Sequence, residues 1–190
     1  MKSFQALLEQ SRIIPAVRDP ELLPKAAAAA GQIVYLLCGT PENIGEMAAG
    51  IIARGKTPIV NLDLVSGLAR DAAAIEYLSH RGLRGIISTH QVPLRAARSL
   101  GLFAIQRTFL LDSAALESSM RAIAQARIDA VEVLPAVVAP YLVAELKRAG
   151  PALVPVIAGG LVQSLAQVEQ LVEQGVNAVS VGNPDFWLAG

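Results

Sequence analysis

PVIAGGLVQS, residues 155–164, is a short apolar run that ends on two glycines and, four residues later, a serine. The run reads as a buried strand. Ser164, with Gln167 three positions on, fits a capping box and predicts that a helix begins there. Strand and helix so closely joined make one βα unit. Glycine costs conformational entropy in ordered backbone, so Gly159 and Gly160 side by side at a strand mouth ask what must approach the main chain more closely than a side chain would allow.

Outward from that unit, the same pattern recurs along the chain. Short β-branched runs alternate with alanine- and leucine-rich segments of helical period, the signature of parallel βα units. The predicted strands are Ile13 to Val17, Ile33 to Leu37, Pro58 to Leu62, Gly85 to Ser88, Phe103 to Gln106, Ala130 to Leu134, Val154 to Ala158 and Ala178 to Val181. Eight parallel strands favour a closed (β/α)8 barrel of the TIM type, because closure leaves no edge strand to protect. An open doubly wound sheet is the alternative. Thr40 followed by Pro41 predicts an N-cap and a first helical turn after the second strand. At 190 residues the chain reads as one domain, 1–190, with short loops, since such barrels usually run to about 250 residues. Only NPDFWLAG follows the eighth strand, which predicts a shortened final helix. An amino-terminal helix around Phe4 to Gln10 is expected to cover part of that gap.

Composition narrows the function. The chain is 53% hydrophobic and carries 16 Lys and Arg against 16 Asp and Glu, so no global field draws it to nucleic acid or to an anionic membrane. A single cysteine, Cys38, excludes an internal disulfide and gives no zinc-ligand pattern. The start MKSFQALLEQ is too short in apolar residues for a secretory signal, and no stretch reaches the roughly 18 that a membrane span needs. The expectation is a soluble, cytoplasmic protein that makes no membrane contact.

In a parallel barrel the chemistry gathers at the carboxyl ends of the strands, and phosphate is commonly held by the loops after the seventh and eighth. That rule groups Gly159, Gly160, Gly182 and Asn183 as a phosphate cradle of main-chain N–H groups, with the helix starting near Ser164 adding its dipole. The plainer alternative is a tight βα turn. Other strand ends carry Arg18, Asp63, Thr89 with His90, and Arg107. In DAVEVLP, Ala130, Glu132 and Leu134 share one face, so an inward face puts the Glu132 carboxylate inside the barrel. Arg18 or Arg107 is its expected partner, as a buried charge requires, and that pair could equally be structural. Asp63 and Glu132 also suit an acid and base acting on a phosphosugar or polyol phosphate. None of Lys2, Lys25, Lys56 and Lys147 falls at the carboxyl end of a predicted strand, where an imine-forming amine should stand, which argues against imine chemistry. Cys38 reads as a small buried thiol and His90 as either a base or a structural group.

The segments IIPAVRD, NLDLVSGLARD, GIISTH, AIQRTFLLDSAAL, VEVLPA, PVIAGGL and SVGNPDFW resemble, in order, the glycerol-3-phosphate-responsive antiterminators of bacterial glycerol-uptake operons. The likeness spans nearly the whole chain, and AIQRTFLLDSAAL is its most specific part. It implies a small (β/α)8 barrel that takes glycerol 3-phosphate as effector and acts on leader messenger RNA as a regulator, not an enzyme; no cofactor is expected and no residues are singled out as metal ligands. It further implies phosphate at Gly159, Gly160, Gly182 and Asn183, with Arg18, Asp63, Arg107 and Glu132 facing the polyol. Three positions depart from the pattern: His90 follows GIIST where a basic Arg or Lys is usual, Gly182 replaces a hydroxyl-bearing turn, and Ala136 stands for glycine. For RNA, Arg81, Arg84, Arg95 and Arg98 form the candidate cluster, since Arg95 and Arg98 share a helical face. A homodimer would double that surface. The rival readings are a phosphosugar or polyol-phosphate isomerase or lyase, and a metabolite-binding module without RNA activity.

Overall fold

Eight parallel strands close into a barrel in simple chain order, each paired with the next and the last returning to the first. The computed structural model describes residues 3–125, 127–150 and 154–188. The strands are β1 (Ile13–Val17), β2 (Ile33–Leu36), β3 (Thr57–Asn61), β4 (Gly85–Ser88), β5 (Phe103–Phe109), β6 (Ala130–Leu134), β7 (Val156–Gly159) and β8 (Ala178–Val181). Four of them coincide with the runs expected from sequence; β2, β3 and β7 differ at their ends by one or two residues. β5 runs three residues further than expected because Arg107, Thr108 and Phe109 continue to pair, with Glu132, Val133 and Leu134 of β6. The open-sheet alternative is thereby set aside.

Helices follow the strands on the outside: α2 (Leu23–Ala27), α3 (Ile44–Ile52), α4 (Ala72–His80), α5 (Gln91–Ser99), α6 (Ser113–Gln125), α7 (Ala139–Ala149) and α8 (Leu165–Glu173). Alternation along each strand builds two cores. One face, including Val34, Leu36, Val60, Ile86, Val131, Val133 and Val179, packs against these helices. The other fills the barrel with Ile14, Tyr35, Ile59, Ile87, Ile105, Ala130, Ile157 and Ala178. At Ser164 the capping serine accepts from the Gln167 N–H at 3.2 Å, while the Gln167 side chain returns to the Gln163 N–H at 2.9 Å. After β2, α3 begins later than the Thr40 cap expected. Asn43 Oδ1 accepts from the Thr40 N–H at 2.8 Å, so residues 41–43 make a turn before the helix starts.

The amino-terminal helix forms, as α1 (Phe4–Leu8), but its expected place is corrected. Phe4, Leu7 and Leu8 join the interior cluster, and the Phe4 ring lies 5.1 Å from that of Phe103 at the start of β5. The helix therefore closes the floor of the barrel, at the amino ends of the strands. Beyond β8 the described residues make only turns, and there Trp187 does the covering. It is 1% exposed, packs in the outer cluster and donates its indole N–H to the Val181 carbonyl at 2.7 Å. Lys25 of α2 pairs with Asp185 of the same segment at 3.1 Å. One large aromatic with a satisfied polar handle thus stands where a closing helix would have packed.

Candidate functional site

Glu132 points into the barrel, as its alternation with Ala130 and Leu134 requires. It is 1% exposed. Arg107, directly opposite on β5, gives its Nε–H to Glu132 Oε2 at 2.7 Å, and Ser180 of β8 donates its hydroxyl to Oε1 at 2.7 Å. A buried carboxylate persists only when paired and fully hydrogen-bonded, and here both oxygens are held. Ser180 reaches across β7 because Gly159 lies between. An added Cβ at Gly159 would stand 2.4 Å from Ser180 Oγ and 3.1 Å from Glu132 Oε1. The first of the two glycines is thus needed so that side chains can meet inside the barrel.

Above this triad, at the carboxyl ends of the strands, opens a cavity of about 240 Å³. It takes Arg18 from the end of β1, Arg107 and Glu132 from its floor, Gly160, Leu161 and Val162 from the β7 loop, and Gly182 with Asn183 from the β8 loop. Six of the eight ligand residues expected from sequence therefore meet at one opening. Gly160 has φ of +77° and Leu161 of +58°, two successive left-handed residues that turn the loop over the opening. The second glycine is required by that conformation. No main-chain hydrogen bond is donated by Gly160, Leu161, Val162, Gly182 or Asn183 among the described residues. Asn183 Oδ1 accepts from the Asp185 N–H at 3.0 Å, which shapes its loop. Arg18 is exposed and makes no hydrogen bond or ion pair among the described residues. Free N–H groups and an unneutralised guanidinium around a small opening are suited to an anion.

Ser180 was missed from sequence, although its period-two relation to Ala178 and Gly182 places it inward. Asp63 stands elsewhere. The short 3-10 turn Leu62–Leu64, capped by Asn61, swings it toward β4, where its carboxylate accepts from Ser88 Oγ at 2.7 Å and from the Thr89 N–H at 2.7 Å. Thr89 Oγ1 adds a contact at 2.9 Å, and Arg70 and His90 lie 3.5 Å away. Burial pushes this carboxyl up, but those donors and the His90 charge outweigh it and hold the group below the usual carboxylate range. Asp63 lies outside the lining of the cavity that Glu132 floors, so the two carboxylates do not share it as an acid and base would. Half-buried Cys38 has its thiol pushed up by burial and by the Asp19 carboxylate, the reverse of the shift that activates a thiol.

The four arginines expected to gather as a cluster are divided. Arg81, at the end of α4, places its guanidinium carbon 4.8 Å from the Tyr77 ring centroid. Arg84 lies at the floor end, beside Lys56 and Phe103. Arg95 and Arg98 do share the outer face of α5, where Arg98 pairs with Asp129 at 2.6 Å. Among the described residues no helix is long and apolar enough to cross a membrane, and no three His, Cys, Asp or Glu side chains lie together as a metal site would require.

A family model described as glycerol-3-phosphate responsive antiterminator matches residues 13–187. An uncharacterized protein of Escherichia coli strain K12, YgcP, is 33% identical over 184 residues, which span 95% of this chain and 94% of that protein. Among solved structures, the glycerol uptake operon antiterminator regulatory protein of Listeria monocytogenes superposes with a TM-score of 0.84 at 31% identity, covering 94% of this chain and 95% of that one. A glycerol uptake operon antiterminator-related protein of Thermotoga maritima superposes with a TM-score of 0.83 at 30% identity, over 93% of this chain and 98% of that one.

Proposed function

The chain belongs to the glycerol-3-phosphate responsive antiterminator family, and on that premise we propose that it binds glycerol 3-phosphate in the rim cavity and, so loaded, acts on leader RNA to let transcription continue. The observation that carries the effector assignment is the cavity itself, where unpaired N–H groups and Arg18 face a buried, fully bonded carboxylate across about 240 Å³. That volume is below the usual range for drug-sized ligands and suits a small metabolite. The phosphate lies against the Gly160 and Gly182 loops with Arg18. The hydroxyls turn to Glu132, Arg107 and Ser180, where an acceptor and donors are already fixed in place. Asp63 organises the β3 and β4 loops and does not touch the effector.

Regulation then follows from linkage. If the effector favours the form that engages RNA, RNA must strengthen effector binding by the same factor. Calorimetric titration with glycerol 3-phosphate, glycerol and inorganic phosphate in separate runs tests the effector assignment. The expected result is that glycerol 3-phosphate binds most tightly and that Arg18→Gln lowers its affinity about ten-fold, as loss of one charge-assisted contact should. Equal affinity for glycerol and glycerol 3-phosphate would overturn the phosphate cradle. A terminator read-through assay, with and without glycerol 3-phosphate, tests the RNA step separately.

A further inference from the structure

A groove of about 560 Å³ lies between α5 and α6 on the outside of the barrel, lined by Gln91, Arg95, Arg98, Ser99, Gln125 and Arg127. Its lining holds three guanidinium groups, neutral amides and a hydroxyl, and no carboxylate. Arg98 alone is neutralised, through Nη1 contacts of 2.6 and 2.7 Å to Asp129. That carboxylate also accepts from the Ala104 N–H at 2.9 Å, so it is fully engaged beneath the groove. The guanidinium groups of Arg95 and Arg127 make no hydrogen bond or ion pair among the described residues. In a chain of zero net charge, this concentrates cationic groups on one face.

Guanidinium forks match phosphate oxygens, and flanking amide and hydroxyl donors extend that match without adding charge. The groove has more than twice the volume of the rim cavity and lies on an outer surface, which suits a polymeric anion better than the small effector. We propose that the α5/α6 groove seats the phosphodiester backbone of RNA, an assignment that rests on the antiterminator reading above. It retains Arg95 and Arg98 from the cluster expected by sequence, drops Arg81 and Arg84, and adds Arg127, which only the fold brings near. The groove is tied to the effector site through shared strands. α5 leads into β5, which carries Arg107; Asp129 immediately precedes β6, which carries Glu132.

The test is fluorescence anisotropy with labelled mixed-sequence single-stranded RNA, in saturating glycerol 3-phosphate, across a series of salt concentrations. Wild type is compared with Arg95→Gln/Arg127→Gln and with a charge-matched control, Arg12→Gln/Arg54→Gln, whose arginines are exposed and lie outside the groove lining. The groove variant should bind about ten-fold more weakly, and its salt slope should fall by about 1.4, two contacts at about 0.7 each. The control should change neither. Unchanged RNA binding in the groove variant overturns the groove and leaves the antiterminator reading standing; equal losses in the two double variants show diffuse charge and do the same. Wild type that binds glycerol 3-phosphate but no RNA overturns the groove assignment, and absent read-through in the terminator assay overturns the antiterminator reading with it. Polyglutamate binding lost in the groove variant while RNA binding persists overturns the assignment in favour of an acidic protein.

Discussion

Gly159→Ala should destabilise the barrel, even though replacing a strand glycine by alanine ordinarily gains about 0.5–1 kcal/mol. The opposite sign follows from the interior. The new Cβ would stand 2.4 Å from Ser180 Oγ and 3.1 Å from Glu132 Oε1, so the hydroxyl must leave the carboxylate. A hydrogen bond to a charged acceptor contributes about 1.5–3 kcal/mol. Overpacking a closed interior costs about 1–3 kcal/mol. Set against the backbone gain, the net loss is about 1.5–5.5 kcal/mol, measured by urea denaturation as a lower midpoint at unchanged slope. A double-mutant cycle isolates the cause. With Ser180→Ala already made, the hydroxyl is absent, and Gly159→Ala should cost at least about 1 kcal/mol less than it does alone. Wild-type stability in the single variant, or strict additivity in the cycle, would refute the close approach. A glycine kept only to expose its N–H would leave stability untouched and weaken glycerol 3-phosphate binding instead.

Three further changes probe other parts of the molecule. Because the folded Asp63 carboxyl lies below its ordinary range, its contribution is complete above the unfolded value and is lost as pH falls through that range to the folded one; Asp63→Asn should flatten the acid limb of stability against pH, and an unaltered limb in chemical denaturation would reject the assignment. Trp187→Phe removes the donor to the buried Val181 carbonyl and should cost about 1–3 kcal/mol in a circular-dichroism melt, with no change speaking against its closing role. Tyr35 is buried in the barrel with a hydroxyl that meets no partner among the described residues, so Tyr35→Phe should be neutral or stabilising by up to about 1–3 kcal/mol; a clear loss would reveal a partner for that hydroxyl.

What could be read from the residues, and what could not, divides along one physical line. A strand buried on both faces announces itself by a β-branched run and its helix by a cap, so the eight units and the barrel were legible. Period two also carries a side chain's direction, which is why the sequence alone turns Glu132 inward. Contacts between strands carry no such signal. Gly159 looks the same in sequence whether it bares an N–H or clears a path from Ser180 to Glu132, and Phe4, Leu7 and Leu8 would look the same on the outer wall or against the floor. The place of Asp63 outside the cavity lining was not legible for a related reason: residues past a strand end are aimed by their turn, here one capped by Asn61. The arginines show the converse, since Arg127 reaches the α5 groove only because the barrel lays β6 beside β5. That same pairing has Arg107 and Glu132 midway along it and the Asp129 clamp on Arg98 at its lower end. An effector that draws on Arg107 therefore acts on the strand pair to which the groove is fastened, which gives a response to glycerol 3-phosphate a physical route to an outer helix.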